Sequence, residues 1–349
     1  MSQPAGPERD AGPMPTADPT RVGAVVIGRN EGERLRRCLA SLASQMSAIV
    51  YVDSGSTDGS VTLAAGMGVV VVELNLAHPF TAARARNAGL AKLREIAPEG
   101  EFVQFVDGDC ELVAGWLAAA VAKLRADPGV AVVSGRRRER HPEATVYNRL
   151  CDIEWNTPIG EANECGGDAL MRVQPLTDVG GFNVSLIAGE EPELCLRLRQ
   201  RGHRVWRLDV DMTLHDANIK HFGQWAVRTL RSGHAYAEGF SVHRGEGAGY
   251  YRREMWSNLF WGALFPIVVL GLAVPTRGLS LVLLVAYVAL GARVSRSGRR
   301  KGQAAADARL YALFCVVGKV PCALGQIRYW LGRALGKRSA IIEYKRPDT

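Results

Sequence analysis

The sequence lacks the signature motifs of several common protein classes. Its seven cysteines form no Cys-x-x-Cys pair, and no group of histidines and cysteines has the spacing of a zinc site. Their odd number and scattered positions argue against a disulfide-stabilised scaffold and are typical of a reducing compartment. There is no Gly-x-Gly-x-x-Gly after the first apolar run and no Gly-x-x-x-x-Gly-Lys-Ser/Thr anywhere. These absences argue against a dinucleotide-binding Rossmann site and against a P-loop.

The amino-acid composition further narrows the class of protein. The 349 residues leave room for about two domains, and a hydrophobic content of 47% is that of a folded chain. Residues 1–20 contain no apolar stretch, so we expect a disordered tail there and no signal peptide. The formal charge of +8 favours an anionic partner. We expect that partner not to be a nucleic acid, because no motif combines aromatic and basic residues.

Short apolar runs alternate with helical patterns between residues 21 and 216. The runs are Val22–Gly28, Ile49–Val52, Val69–Leu74, Phe102–Val106 and Val130–Ser134. Residues 32–46, 82–96 and 113–126 have helical periodicity. Strands separated by helices of this length predict βαβ units, and hence an α/β fold with a mainly parallel sheet flanked by helices.

Polar clusters directly follow three of the predicted strands. They are Gly28–Glu31, Asp53–Gly59 and Asp107–Asp109. Each cluster alone is a common turn sequence, but the carboxyl ends of parallel strands meet at one edge of a sheet, where ligands bind. The three together therefore predict a binding site. Without a glycine cradle, a nucleotide at that site would be held through carboxylates and a metal ion.

These motifs resemble those of the family 2 glycosyltransferases, whose catalytic domain has the GT-A fold. The resemblance covers roughly residues 22–216, and its motifs are Val25–Glu31, Val52–Gly59, Ala85–Gly89, Asp107–Asp109, Gly166–Arg172, Val179–Phe182 and Gly189–Leu198. It implies transfer of a sugar from a nucleotide-diphospho-sugar donor, with inversion and with Mn²⁺ or Mg²⁺ as cofactor. One departure is Glu190-Glu191, where the family usually has Glu-Asp, the Asp being the usual catalytic base.

The resemblance also assigns roles to individual residues. Glu191 is the expected general base, and Glu190 positions it or binds acceptor hydroxyls. The expected donor-binding residues are Asn30, Glu31, Asp53, Arg86, Asn87 and Asp107. Asp109 is the expected metal ligand, because hard divalent cations prefer oxygen, and His215 closes the metal site.

Structural interpretations of the same residues remain open. Asp53 either contacts the donor base or caps the next helix. The Glu190-Glu191 pair either performs the chemistry or only begins a helix, where acidic residues are favourable. His215 is either a ligand or a structural histidine. The basic run Arg136–Arg140 follows the fifth predicted strand and either meets phosphates or is a solvated charge run.

The C-terminal part has the composition of a membrane region. Met255–Val274 has 20 residues without a charge, enough to span a bilayer, and Leu279–Ala292 predicts the return of a hairpin. Residues 308–330 either span imperfectly or lie at the interface. The basic loop Arg293–Lys301 places both flanks of the hairpin in the cytoplasm, with the catalytic domain. A soluble, buried helical hairpin is the alternative.

The predicted organisation is a tail, a catalytic domain, a helical interfacial linker, a membrane region and a basic tail. Their ranges are 1–20, 21–216, 217–254, 255–335 and 336–349. We expect a multi-pass membrane enzyme that transfers sugar to a membrane lipid or a lipid-linked or envelope glycan, with envelope-assembly proteins as possible partners.

Two alternatives to this enzyme remain. One is a catalytically inactive sugar-nucleotide-binding scaffold subunit, and the other is a nucleotidyltransferase, although the early Gly-rich loop typical of nucleotidyltransferases is missing. Gln224–Arg228 departs from the Gln-x-x-Arg-Trp motif of processive family members, which argues against polymer synthesis.

Overall fold

A computed structural model describes residues 21–245, 249–337, 339 and 342–343. The tail expected at residues 1–20 lies outside the described residues. So does most of the basic tail expected at 336–349.

A mixed β-sheet, with nine strands in the described part of the chain, forms the centre of the N-terminal half. The strands are β1 (Val22–Gly28), β2 (Ala48–Asp53), β3 (Val70–Glu73), β4 (Phe102–Asp107), β5 (Cys110–Leu112), β6 (Val130–Glu139), β7 (Gly160–Ala162), β8 (Ala169–Arg172) and β9 (Arg204–His215). Their order is β3-β2-β1-β4-β8-β6-β9-β5, and β7 pairs with β9. The first four strands in this order, β3, β2, β1 and β4, are parallel to one another. Strand β8 runs antiparallel to both of its neighbours, β4 and β6. The expected α/β fold with flanking helices is confirmed, but the sheet, which was expected to be mainly parallel, is mixed, because β8, β5 and β7 pair antiparallel with their neighbours.

Helices cover both faces of this sheet. They are α1 (Glu33–Leu42), α2 (Ser60–Gly66), α3 (Ala82–Ile96), α4 (Trp116–Ala126), α5 (Val146–Glu154), α6 (Val173–Asp178) and α7 (Glu190–Gln200). The next helix, α8 (Phe222–Val242), packs against the C-terminal helices instead. Leu35, Leu39 and Leu42 of α1 recur at helical spacing and are buried in the same core as Trp116 of α4. On the opposite face, α3 and α7 pack in a second core.

Helix α3 lies unusually close to the sheet. Thr81 caps it by accepting a hydrogen bond from the backbone N–H of Arg84. At Gly89, a Cβ atom would lie 2.3 Å from a methyl carbon of Val25 and 2.9 Å from one of Val52. Only glycine permits this approach, which fixes the part of α3 that carries Arg86 against the end of the sheet.

Strand β6 is longer than the sequence predicted. Arg136–Arg138 do not follow the strand but belong to it, because β6 pairs in parallel with β9 as far as Glu139 opposite His215. Irregularities in register between Ser134 and Arg137 interrupt this pairing. The extension carries arginines to the same edge of the sheet as the polar clusters.

Three helices of the described C-terminal part are long and apolar enough to cross a membrane. We name them M1 (Arg252–Gly271), M2 (Leu279–Arg300) and M3 (Ala305–Ala334). M1 contains a π-helical turn, M2 begins as a 3-10 helix, and M3 is interrupted at Gly318. Compared with the expected 255–274, 279–292 and 308–330, M1 is shifted towards the N-terminus and the other two are longer. The prediction that the basic residues Arg293–Lys301 form a loop after M2 is wrong, because all of them but Lys301 lie on the helix itself.

Helix α8 runs side by side with M3. A Cβ atom at Gly233 would lie 2.1 Å from the carbonyl oxygen of Cys322, and one at Gly325 would lie 2.0 Å from that of Leu230. The two backbones are therefore in direct contact. Near the start of α8, the ring of Phe314 packs edge-on against Trp225, with 4.8 Å between the ring centroids.

M3 also contacts the N-terminal half directly. Arg149 of α5 pairs with Asp307 at 2.6 Å, and Tyr147 packs edge-on against Phe314. The part of M3 before Gly318 thus contacts the sheet domain through α5, whereas the part after it packs against α8 and M1.

Candidate active site

A cleft of about 670 Å³ opens at the carboxyl ends of β1 and β4. The lining includes Ile27–Glu31, Asp107–Asp109 and His215 from the sheet, and Gln224, Arg228 and Arg231 from α8. Two of the three expected polar clusters therefore meet there, and Ser54 represents the third. This is the edge at which a parallel α/β sheet binds its ligands.

Asp109 and His215 lie together at the base of this cleft. Antiparallel pairing of β5 with β9 sets Cys110 opposite His215 and brings the imidazole Nε2 within 3.3 Å of Asp109 Oδ2. Behind the ring, Glu139 Oε2 lies 3.8 Å from Nδ1. The Glu139 carboxylate is held in turn by the backbone N–H of Ala217 and the side chain of Asn148. A carboxylate behind the second ring nitrogen is the usual arrangement for a metal-binding histidine.

The side chains that could ligate a metal at this point suit a divalent cation. Ligand atoms of Asp109, Cys110 and His215 lie within 4.8 Å of one another. Burial raises the pKa of the Cys110 thiol well above its usual value, and Mn²⁺ and Mg²⁺ prefer oxygen and nitrogen ligands to sulfur. A carboxylate oxygen and an imidazole nitrogen remain, and Mn²⁺ or Mg²⁺ would be held by Asp109 and His215.

Asp107 is oriented by two arginines. Its Oδ1 lies 2.9 Å from Arg86 Nη2, and its Oδ2 lies 3.4 Å from Arg137 Nη2. Its backbone N–H donates to the buried carboxylate of Asp168, which also pairs with Arg137 at 2.9 Å. Both carboxylate oxygens of Asp107 thus face cations, which leaves Asp109 as the better metal ligand of the two.

Arg86 joins three acidic side chains in one buried cluster. Its guanidinium is 2% exposed and lies 2.7 Å from Glu190, 3.0 Å from Glu191 and 2.9 Å from Asp107. Gly167 makes room for this cluster, because a Cβ atom there would lie 2.7 Å from Arg86 Nη2. The structure surrounds Arg86 with carboxylates, and its expected role in donor binding stays a prediction.

Glu191 has the protonation behaviour of a candidate base. Burial raises its pKa to about 7, and the neighbouring charge of Glu190 adds to the rise, while Arg86 opposes it. The carboxylate is 15% exposed. Glu190 and Glu191 form the first turn of α7 and do not themselves line the cleft; Arg86 connects both of them to Asp107, which does.

The remaining expected donor-binding residues are engaged in loop contacts. Asp53 accepts hydrogen bonds from the backbone N–H groups of Gly55 and Ser56 and from the Tyr51 hydroxyl. Asn30, at a positive φ of 56°, accepts the N–H of Thr57 at 2.7 Å and so ties the β1 loop to the β2 loop.

Glu31 and Asn87 also have partners within the protein. Glu31 lines the cleft and pairs with Arg34 at 2.9 Å. Asn87 both donates to and accepts from the backbone of Phe182. Of these four side chains, Asn30 and Glu31 line the cleft, whereas Asp53 and Asn87 support the loops around it.

Sequence reasoning did not single out Arg137, Asp168 and Glu139. Asp168 lay within a recognised motif, between two glycines and an apolar run, and that position was a usable signal. Arg137 and Glu139 belonged to the basic run that was interpreted as following the fifth predicted strand, either to meet phosphates or as a solvated charge run. Arg137 and Glu139 are two positions apart, which places them on the same face of an extended strand, and this spacing was the available signal.

The sheet order, the cleft at its carboxyl edge and the acidic–imidazole pair define a GT-A-type α/β protein. Residues 24–176 match the family model for glycosyl transferase family 2.

Two curated relatives and one solved structure are similar to the chain. A pre-mycofactocin glycosyltransferase of Mycobacterium tuberculosis is 27% identical over 238 residues, covering 62% of this chain and 47% of the relative. A TPR repeat-containing protein of Synechococcus elongatus is 30% identical over 196 residues, covering 52% and 45%. The chain thus spans about half the length of these relatives.

The solved structure is the mannosyltransferase PcManGT from Pyrobaculum calidifontis, in complex with GDP-Man and Mn²⁺. It superposes with a TM-score of 0.58 at 19% identity, covering 89% of this chain and 87% of the other. At this identity the similarity shows a shared fold.

Proposed function

We propose that this protein is a metal-dependent, inverting glycosyltransferase that moves a sugar from a nucleotide-diphospho-sugar to a lipid-linked or envelope-glycan acceptor at the cytoplasmic face of a membrane. The observation that carries the proposal is the Asp109–His215 pair, with Glu139 behind it, at the ligand-binding edge of a domain that matches the family 2 model. The Mn²⁺ and nucleotide sugar bound by PcManGT support it.

We assign donor binding and acceptor activation to different residues in and around the cleft. The divalent ion held by Asp109 and His215 would neutralise charge on the departing diphosphate. Arg86 and Arg137 keep the Asp107 carboxylate in a fixed orientation beside this site. Asn30, Glu31, Asp53 and Asn87 shape the donor end through the loop contacts described above.

Glu191 is the proposed general base. A carboxylate with a pKa near 7 takes a proton from an acceptor hydroxyl more readily than an ordinary glutamate does. Direct displacement with one base inverts the anomeric centre. Arg86 bridges Glu190 and Glu191 and so sets the orientation of the base relative to Asp107.

The contacts of the three apolar helices support the proposed placement in the membrane. M1 and M2 leave large apolar side chains exposed, among them Ile267, Leu279 and Val288. We place them across the bilayer as a hairpin. M3 instead lies along α5 and α8, and Lys319 at its middle donates to Ser257 and Asn258 near the start of M1.

A spanning M3 would carry the cleft-lining arginines of its neighbour α8 into the bilayer, where charged side chains are costly. M3 is therefore placed at the interface, with the cleft facing the membrane surface. The exposed apolar side chains of M1 and M2 also favour this placement over a soluble helical hairpin.

A thermal-shift screen of nucleotide sugars tests donor binding. With Mn²⁺, one nucleotide sugar should raise the Tm of the detergent-solubilised protein, because a ligand that binds only the folded state stabilises it. Asp109→Asn should abolish that rise. Asp178→Asn, which changes an exposed aspartate at the end of α6, should keep it.

A rise that is equally large in EDTA or in Asp109→Asn would contradict the proposed metal site. Slow release of nucleoside diphosphate without acceptor would separate the enzyme from the inactive scaffold alternative. The scaffold would bind the donor and leave it intact.

A further inference from the structure

Asp168 is a fully buried carboxylate that the chemistry described above does not use. It directly precedes β8, and its side chain is 0% exposed. Its Oδ1 accepts the backbone N–H of Asp107 at 2.9 Å, and its Oδ2 accepts the hydroxyl of Thr213 at 2.7 Å. Oδ2 also lies 2.9 Å from Arg137 Nη2. One carboxylate therefore connects β4, β6 and β9 near their carboxyl ends.

The positions that Asp168 holds have the same relation to the two residues that would bind the metal. Asp107 precedes Asp109 by two residues, and Thr213 precedes His215 by two. Residues two apart on a strand lie on the same face, so Thr213 and His215 share one face of β9. Asp168 thus holds the chain two residues before each proposed ligand.

The sheet order explains why the site needs such a connection. Strands β4 and β9 are not neighbours, because β8 and β6 lie between them. The chain crosses from β4 to β9 within Asp107–Cys110, and the pairing of β5 opposite His215 fixes the far end of this crossing. The near end is fixed to β1 by the hydrogen bond from Gly108 to Ile27, and to β9 through Asp168.

A second metal site at Asp168 is the competing interpretation. Ligand atoms of Asp107, Cys110 and Asp168 lie within 4.8 Å of one another. Arg137 Nη2, however, already lies 3.4 Å from Asp107 and 2.9 Å from Asp168. A second cation there would be repelled by this guanidinium. Any effect of Asp168 on a bound metal therefore passes through the protein.

We propose that Asp168 is a positioning residue for the metal site, which sets the separation of Asp109 from His215 by holding the chain two residues before each of them. A ligand pair held in place loses less conformational freedom when it binds an ion than a loosely held pair does. The inference rests on the metal site of the proposed function, but Mn²⁺ binding can be measured without donor, acceptor or transfer.

Two substitutions of Thr213 test the connection to β9. Thr213→Val removes the hydroxyl bonded to Asp168 at similar side-chain shape, and Oδ2 keeps Arg137 as its partner. Thr213→Ser keeps the hydroxyl. Binding of Mn²⁺ alone to the full chain in detergent micelles is measured well below the Tm by electron paramagnetic resonance, which counts the free ion. Thr213→Val should raise the Kd about tenfold, the lower end of what lost outer-shell contacts cost, and Thr213→Ser should stay close to the wild type.

Asp168→Asn tests the carboxylate itself. The amide can still accept the N–H of Asp107, but it removes the charge that faces Arg137, and we expect a loss of about 10- to 100-fold in Mn²⁺ affinity. Combined with Thr213→Val, it should lose less than the product of the two single losses, because both variants break the same contact. Thr177→Val is the matched control, because it removes a hydroxyl that donates only within α6, and it should bind Mn²⁺ as the wild type does.

Tm values of all variants are recorded, so that a loss of Mn²⁺ affinity is scored only in a folded protein. If Asp168→Asn unfolds, the two Thr213 variants decide. An unchanged Kd in folded Thr213→Val, or an equally large loss in Thr213→Ser or Thr177→Val, would overturn the positioning role. A wild type that binds no Mn²⁺ would overturn the metal site of the proposed function and the inference with it. Mn²⁺ binding that depends on the Thr213 hydroxyl in a protein without transferase activity would support the positioning role while refuting the proposed function.

Discussion

Replacing Arg86 with methionine should destabilise the fold as well as the site. The side chain keeps similar length, but Asp107, Glu190 and Glu191 are left together without their shared cation. Removing one partner of a buried ion pair costs about 3–5 kcal/mol. For a domain of this size that corresponds to a loss of roughly 6–20 °C in Tm.

The loss should depend on pH in a defined direction. Arg86 lowers the pKa of Glu191, which lies near 7 because of burial, so its removal raises that pKa further. Between the ordinary pKa of glutamate and the raised value, the folded variant binds more protons than its unfolded chain. Its stability therefore falls as the pH rises through that window, and the Tm deficit should be larger at pH 8 than at pH 5.

The assay is thermal unfolding of the full chain in detergent, followed by tryptophan fluorescence at both pH values. Arg84→Met is the matched control on the same helix, because its guanidinium donates to backbone carbonyls of Asn75 and His78 and to no carboxylate. We expect it to change Tm by about 2 °C at most. Adding Glu190→Gln to Arg86→Met should recover part of the loss. Equal losses for the two arginine variants, or a deficit independent of pH, would refute the charge-cluster explanation.

Three further predictions concern the base, the backbone of the site and the topology. The transfer rate of the wild type should rise with pH around a midpoint near 7, and Glu191→Gln should remove this dependence and lower kcat by about 10²–10⁴-fold; near-normal turnover would assign the proton to another group. Gly167→Ala should lower both Tm and donor binding, because its Cβ would lie 2.6 Å from a carboxylate oxygen, whereas Gly166→Ala, with its nearest atom at 3.9 Å, should behave as wild type in both measurements. A membrane-impermeant maleimide should label Thr276→Cys in intact cells and Ser297→Cys only after permeabilisation; labelling of both in intact cells would contradict the cytoplasmic side of the hairpin.

Local sequence patterns predicted the strands well. Strand β1 has the predicted bounds, Val22–Gly28, because a run of apolar, largely β-branched residues buried on both faces has no competing helical interpretation. The clusters after β1 and β4 meet at the cleft because parallel strands end at the same edge. These features depend on residues near one another in the chain.

The contacts within the site depend on long-range pairing, and the sequence alone did not reveal them. Arg86 and Glu190 are hydrogen-bonded although they lie 104 positions apart in the sequence, so the residues around either one do not indicate its partner. The arginines of β6 enter the site because that strand continues along β9, through register irregularities that no periodicity predicts. The position of M3 beside α8 likewise follows from glycine contacts rather than from hydropathy, which is equally high for M2 and M3.

The most direct test of the proposed enzyme is transfer itself. Purified full-length protein is incubated with a panel of radiolabelled nucleotide sugars and membrane lipids, with Mn²⁺ or with EDTA, and label in the lipid fraction is counted. We predict that one sugar is incorporated, that EDTA abolishes incorporation and excess Mn²⁺ restores it, and that folded Asp109→Asn is inactive. Undiminished incorporation in EDTA, or by Asp109→Asn, would contradict the metal-dependent mechanism on which the proposed function rests.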